Sequence, residues 1–163
     1  MNKVPSSHYT IRFNDCDMFG HLNNSRYLDY LINAREDHLK EAYGFELTDY
    51  YKRGEGWVVG GHEINYVRPA LCYERVAIRS TLLQMDEAFL YVEAVMMDEG
   101  CTHVKAIMRT RLVPINIQTG KKIPHKPEFM EWAKEIVNTD LDPQTSIQQR
   151  IAELRAELEM TKH

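Results

Sequence analysis

The sequence predicts an α+β fold in which an antiparallel sheet wraps one long helix, and three features of its 163 residues predict it. An early segment carries apolar residues at three- and four-residue intervals. Four strand-like segments then follow one another with no helix between them. No stretch alternates strand with helix as a βαβ unit does, and there is no internal repeat.

Tyr9 to Phe13 alternates and is rich in β-branched and aromatic residues, so it reads as a short first strand. Asn23 or Asn24 is placed to cap a helix, because an asparagine side chain accepts from free first-turn amides. Beyond that cap, Tyr27, Leu28, Leu31, Ala34, His38, Leu39 and Ala42 form one apolar face, and Gly44 ends the helix. Arg35, Glu36, Asp37, Lys40 and Glu41 charge its other side, which predicts cover on one side only. The cover is a sheet from Trp57 to Val67, Val76 to Leu82, Phe89 to Met97 and Thr102 to Val113, the last two joined by the turn Asp98-Glu99-Gly100.

A short helix is expected around Phe129, Trp132, Ala133, Ile136 and Val137. A last one starts at Asp142-Pro143 and carries Ile147, Ile151, Leu154 and Leu158 as a narrow stripe. Two heptads are too short to stand alone. The stripe therefore docks on its own domain or a neighbouring subunit, or serves as a partner-binding arm. This divides the chain into a domain over 1–140 and a helical extension over 141–163.

Composition narrows the function classes. The chain is 44% hydrophobic and 27% charged, which is ordinary for a soluble globular protein, and no apolar run approaches the roughly 20 residues of a membrane helix. Met1 to Ser7 has no apolar core of a secretory signal, so the expected compartment is the cytoplasm. Cys16, Cys72 and Cys101 are odd in number and lack CxxC spacing, which predicts reduced thiols and no zinc site. A formal charge of −4 gives no reason to expect a nucleic acid partner.

Three motifs fail on inspection. Asp15, Asp17 and Gly20 fit the first, third and sixth places of a calcium loop, but Phe19 and Arg26 stand where further ligands belong. Gly54 to Gly61 has Val59 at the third glycine position of a dinucleotide fingerprint. Cys101 and His103 are close in sequence, as any hairpin allows.

What remains is the stretch Asn14 to Asn24, "NDCDMFGHLNN", set between a strand and a helix start. Unpaired amides and the helix dipole favour negative charge there, so Asp15 or Asp17 is able simply to satisfy loop amides. The same amides are also able to receive a developing oxyanion while Asp17 attacks a carbonyl or deprotonates water.

Asp17-Met18-Phe19-Gly20-His21-Leu22-Asn23-Asn24, with Phe13-Asn14-Asp15-Cys16 before it and Tyr27-Leu28-Asp29-Tyr30 after it, resembles a family signature. It is that of the hotdog-fold acyl-CoA thioesterases of the 4-hydroxybenzoyl-CoA thioesterase-like family. The resemblance continues more loosely through Trp57 to Pro69, with Tyr66-Val67-Arg68-Pro69. It covers about Tyr9 to Pro114 and leaves the tail from Asp142 outside.

The resemblance implies a hotdog fold, assembled as a homodimer or a dimer of dimers by edge-to-edge pairing of sheets, with active sites at the subunit boundary. It implies hydrolysis of an acyl-CoA to free acid and coenzyme A without metal or organic cofactor. Asp17 takes the place of the catalytic carboxylate, as nucleophile or general base. The Asn24 amide falls where the family polarises the thioester carbonyl. Gly20, His21, Leu22, Asn23 and Tyr27 surround the substrate, His21 orienting Asn23, touching the pantetheine arm or packing, and Tyr27 lining the acyl pocket or the core. Val59, Gly60 and Gly61 match the strand that approaches the neighbouring subunit's substrate, with His62 beside them.

One departure concerns the nucleotide of coenzyme A. Members that hold it with arginines do so near the turn before the third strand, where this chain has Asp86 and Glu87. Either Arg68, Lys105, Arg109 or Arg111 then serves, or the nucleotide hangs in solvent. An acyl carrier protein as thioester donor, a non-catalytic acyl-thioester-binding module and a hotdog dehydratase or hydratase remain alternatives. Acyl length and aromatic preference stay open.

Overall fold

A computed structural model describes residues 1–162; His163, the last residue of the expected extension, lies outside them. The strands are β1 (Ser6–Thr10), β2 (Glu55–Tyr66), β3 (Arg75–Met85), β4 (Leu90–Asp98) and β5 (Val104–Asn116). They form one antiparallel sheet in the order β1-β3-β4-β5-β2. The helices are α1 (Tyr27–Tyr43), α2 (Leu47–Lys52), α3 (Pro127–Lys134) and α4 (Ile147–Thr161). The order of elements is the hotdog arrangement that the resemblance implies.

The helix and the sheet meet as the patterns require. Tyr27, Leu31 and Ala34 of α1 pack against Val76, Ile78, Ala94, Met96, Ala106 and Met108, alternate residues of three neighbouring strands. One face of the sheet is thereby filled by the helix it curves around. Gly44 ends α1 in the left-handed conformation, with φ of 62°, and its amide reaches the Lys40 carbonyl.

The other face is covered as well, by the terminal helix. Ile147, Leu154 and Leu158 of α4 bury Val95, Met97, Val104 and Ile107, so the narrow stripe docks on its own sheet. At the centre of that contact lies a buried ionic cluster. Glu93 accepts from Arg109 Nε and Nη2 at 3.3 and 3.2 Å and from Arg150 Nε at 3.0 Å, while Arg109 Nη1 donates to the Thr145 carbonyl. All three side chains are buried. Two cations around one carboxylate need this many hydrogen bonds to offset desolvation.

A second polar network runs along α1 and has a defined direction. The Tyr9 hydroxyl donates to the Asp37 carboxylate at 2.7 Å, so its oxygen accepts from Ser7 at 2.8 Å. Ser7 in turn accepts from His38 Nε2 at 2.8 Å, which leaves His38 Nδ1 to accept from Ser80 at 2.7 Å. Arg35 donates to Ser80 at 3.0 Å and closes the chain. The tautomer follows from a neutral His38, which burial and then the Arg35 cation push down to about 4.

Several boundaries differ from expectation. The first strand ends at Thr10 because residues 13–15 wind into a 3-10 turn. Neither Asn23 nor Asn24 caps with its side chain; a 3-10 turn over Asn24–Arg26 leads into α1 instead. Six-residue α2 gives too short a period to stand out in the sequence. The last helix begins at Ile147, where Ser146 accepts from the Gln149 amide at 3.1 Å. Asp142 instead binds the Gln144 amide within a preceding turn.

Candidate active site

The Asp15 to Asn24 loop is closed by its own backbone. The Asp17 amide donates to the His21 carbonyl at 2.8 Å and the Gly20 amide to the Asp17 carbonyl at 3.1 Å. Gly20 has φ of 74°, a left-handed conformation that the tight turn demands and glycine adopts without strain. The Leu22 amide donates to Ala70 and the Cys72 amide to Gly20, both at 2.8 Å, so the loop is pinned to the segment after β2.

The two acidic residues of the loop divide their tasks. Asp15 is structural: its Oδ2 accepts from the Tyr30 hydroxyl at 2.6 Å, and its carbonyl accepts from the Asn23 amide at 2.9 Å. Burial, reinforced by that carboxylate, pushes the Tyr30 hydroxyl up to about 12, which keeps it a donor. Asp17 is exposed. Its Oδ1 accepts from the Phe19 and His21 amides at 2.9 and 3.1 Å, and no hydrogen bond to Oδ2 occurs among the described residues. One oxygen is thus oriented by the turn while the other remains available.

The opening of the helix lies a few residues on. The first bond of its 3-10 turn is made by the Arg26 amide, to the Asn23 carbonyl at 2.8 Å, so the Asn24 and Ser25 amides precede it and have no acceptor among the described residues. Tyr66, which the sequence does not single out for the site, donates to the Asn24 carbonyl at 2.9 Å and stands edge-on to Tyr27. Its one signal in the sequence is its place at the start of Tyr66-Val67-Arg68-Pro69.

The expected site residues fall into three sets. Asp17, Gly20, His21, Asn23 and Asn24 are together in this loop. Leu22 and Tyr27 are each 2% exposed and belong to the core, Tyr27 accepting from the Ala70 amide at 3.0 Å. Both support the loop, and for Tyr27 this is the core placement that the sequence offered beside the acyl pocket. Val59, Gly60, Gly61 and His62 stand apart, on the exposed outer strand β2. They lie up to roughly 20 Å along the strand from Tyr66. A register shift between Val59 and Gly61 inserts Gly60, so that Val59, opposite Leu112, and His62, opposite Thr110, share the helix-facing side. His62 Nδ1 is 2.8 Å from the Thr110 hydroxyl, and burial lowers its affinity for a proton.

Beside Val59 an apolar cavity of about 250 Å³ runs between α1 and the sheet. Leu31, Val92, Phe45, Trp57, Phe129 and Trp132 form much of its wall. Trp57 is fixed there by donating to His125 Nε2 at 2.9 Å, with His125 Nδ1 on the Asp86 carbonyl at 2.7 Å. Among the cations considered for the nucleotide, Lys105 and Arg109 are consumed internally. Lys105 pairs with Glu74 and donates to the Pro69 carbonyl, both at 3.0 Å, and Arg109 pairs with Glu93. Arg111 lies over the Phe89 ring, and Arg68 is exposed.

The model of the thioesterase-like superfamily matches residues 11–133, from the end of β1 through the loop, the helix and all later strands into α3. The chain belongs to that superfamily. Among relatives of this thioesterase-like chain, the 1,4-dihydroxy-2-naphthoyl-CoA hydrolase of Rippkaea orientalis is 31% identical over 133 residues, covering 80% of this chain and 96% of the relative. The long-chain acyl-CoA thioesterase FadM of Escherichia coli is 30% identical over 121 residues, 74% of this chain and 90% of FadM. The DHNA-CoA thioesterase structure from Staphylococcus aureus superposes with a TM-score of 0.75 at 19% identity, over 82% of this chain and 90% of that one. The fold is the hotdog fold of this superfamily. Its match ends within α3, so α4 lies beyond it.

Proposed function

We propose that the protein hydrolyses an acyl-CoA thioester to the free acid and coenzyme A, with Asp17 as the reacting carboxylate. The observation that carries this is Asp17 Oδ2, free on a turn-anchored side chain in a thioesterase-like fold. Asp17 acts in one of two ways: its oxygen adds to the thioester carbon and expels the thiolate as a mixed anhydride forms, which water then hydrolyses, or it takes a proton from the attacking water. The amides at Asn24 and Ser25 receive the charge on the carbonyl oxygen. The thiolate leaves with a proton from water, and the route draws on no metal or organic cofactor.

The acyl group enters the cavity bordered by Val59. The two relatives named above act on aromatic and long-chain esters respectively, so the acyl class is set by that cavity. A second copy of the chain completes the site by pairing along the open edge of β2 and covering Met18 and Phe19, which are 92% and 76% exposed beside Asp17. Size measurement in solution tests this: a monomer at micromolar concentration would remove the shared site.

The catalytic test is release of free thiol from a panel of acyl-CoAs. Asp17→Asn keeps an oxygen for the Phe19 and His21 amides, so it folds, and the rate falls by about 10²–10⁴. An unaltered rate would remove the assignment of Asp17.

A further inference from the structure

We infer that the groove between the end of α4 and the strand ends binds the phosphates of coenzyme A at its adenine nucleotide, a site that rests on the acyl-CoA reading above. The groove encloses about 420 Å³, and Arg68, His103, Arg155 and Lys162 supply its basic lining. Glu159 is the single acid in that lining, and it is already paired with Lys162 at 2.7 Å. Arg68 and Arg155 are exposed and pair with no carboxylate among the described residues. Two arginines with no carboxylate partner among the described residues thus line one groove on a chain whose formal charge is −4. Guanidinium forks match phosphate oxygens in pairs, whereas carboxylates repel them. Asp86 and Glu87, at the turn where a nucleotide would otherwise be sought, supply only repulsion.

A further observation connects the groove to a ligand. The groove adjoins the proposed reaction centre. Tyr66 touches the Asn24 carbonyl, and Arg68 follows two residues later, at most about 7 Å further along the chain. A pantetheine arm whose thioester carbonyl sits at Asn24 therefore runs past Tyr66 toward Arg68. The other wall is held in place by the Arg150–Glu93 ion pair and by buried Leu154 and Leu158, which fix the helix that carries Arg155. The terminal helix thus supplies half of a nucleotide site that the superfamily match does not include.

A phosphopantetheine arm on a carrier protein also ends in a phosphate, so the substrates must separate the sources. Steady-state kinetics of the Arg68→Gln/Arg155→Gln double variant are compared on hexanoyl-CoA and on hexanoyl-pantetheine, which has no phosphate. The expected result is a KM for the CoA ester raised about tenfold or more, with kcat changed less than about twofold and the pantetheine ester unaffected. Equal effects on both esters, or none on either, overturn the site. Calorimetric titration of coenzyme A itself measures binding independently of turnover. Its Kd rises about tenfold in the double variant, and the wild-type Kd weakens with added salt. A wild type that releases no thiol but loses coenzyme A affinity on substitution overturns the hydrolase reading and leaves this site standing. An unchanged Kd overturns the site whatever the turnover.

Discussion

The Tyr66 hydroxyl donates to the Asn24 carbonyl at 2.9 Å, tying the end of β2 to the turn that opens α1. The Asn24 amide proposed to receive the oxyanion belongs to the same residue, so its aim depends partly on this bond. Tyr66→Phe keeps the ring against Tyr27, 5.1 Å between centroids, and removes only the hydroxyl. The expected outcome is a fall in kcat/KM of about three- to tenfold, the equivalent of one ordinary hydrogen bond, with stability altered by less than about 1 kcal/mol. Kinetics paired with urea midpoints checks it; a loss of stability with unchanged turnover would make Tyr66 a packing residue only.

Glu93 holds two buried cations from opposite sides, Arg109 from the sheet and Arg150 from α4. Removing its charge strands both. Glu93→Gln is expected to cost about 3–5 kcal/mol in unfolding free energy. Arg150→Met costs less, because the Arg109–Glu93 pair survives and the new side chain packs against apolar neighbours of α4. Urea denaturation of the three proteins measures the order; equal losses for both variants would show that the cluster acts only through helix docking.

The sheet was legible because its strands obey a period of two, and the helix because Leu31, Ala34 and His38 recur on one face. The loop was legible by its order of residue types. What it could not reveal was the division of labour between Asp15 and Asp17, since that depends on Tyr30, fifteen positions away, reaching one carboxylate and not the other. The fates of Lys105 and Arg109 were hidden for the same reason: their partners, Glu74 and Glu93, lie on other strands or loops. Tyr27 and Leu22 carry the right residue types at the right places, and only the burial of the helix start shows that they face inward.

Proton uptake by His38 sets a pH limit on stability. In the folded chain it titrates at about 4, against an ordinary 6.5, through burial and the Arg35 cation. As pH falls, the unfolded chain binds a proton near 6.5 and the folded chain does not until about 4. Stability is therefore full above pH 6.5 and declines between 6.5 and 4, by at most about 3 kcal/mol from this residue. His125, also depressed by burial, adds in the same direction. Protonation would put a hydrogen on Nδ1, remove the acceptor that Ser80 donates to, and set a second cation beside Arg35, while the Nε2 donation to Ser7 stays in place. Urea midpoints at successive pH values should slope downward over this window, and His38→Gln should flatten the slope. Parallel slopes in the two proteins would show that His38 does not control it.

The cavity between α1 and the sheet makes acyl length a readable quantity. Each methylene buried against Leu31, Val92, Phe45 and Trp132 contributes about 0.8 kcal/mol, so kcat/KM should rise roughly fourfold per added carbon until the space is full. Beyond that point the rate levels off or falls, as further carbons meet packed side chains. Trp132 lies in the wall formed by α3, stacked on Phe45 with centroids 4.7 Å apart. Trp132→Ala opens this end and should move the break in the series to longer chains while leaving the slope below it unchanged. Straight-chain acyl-CoAs of increasing length, assayed on both proteins, provide the measurement. A break at the same length in the variant would place the acyl group elsewhere, and with it the role of Val59 as the entry to the pocket.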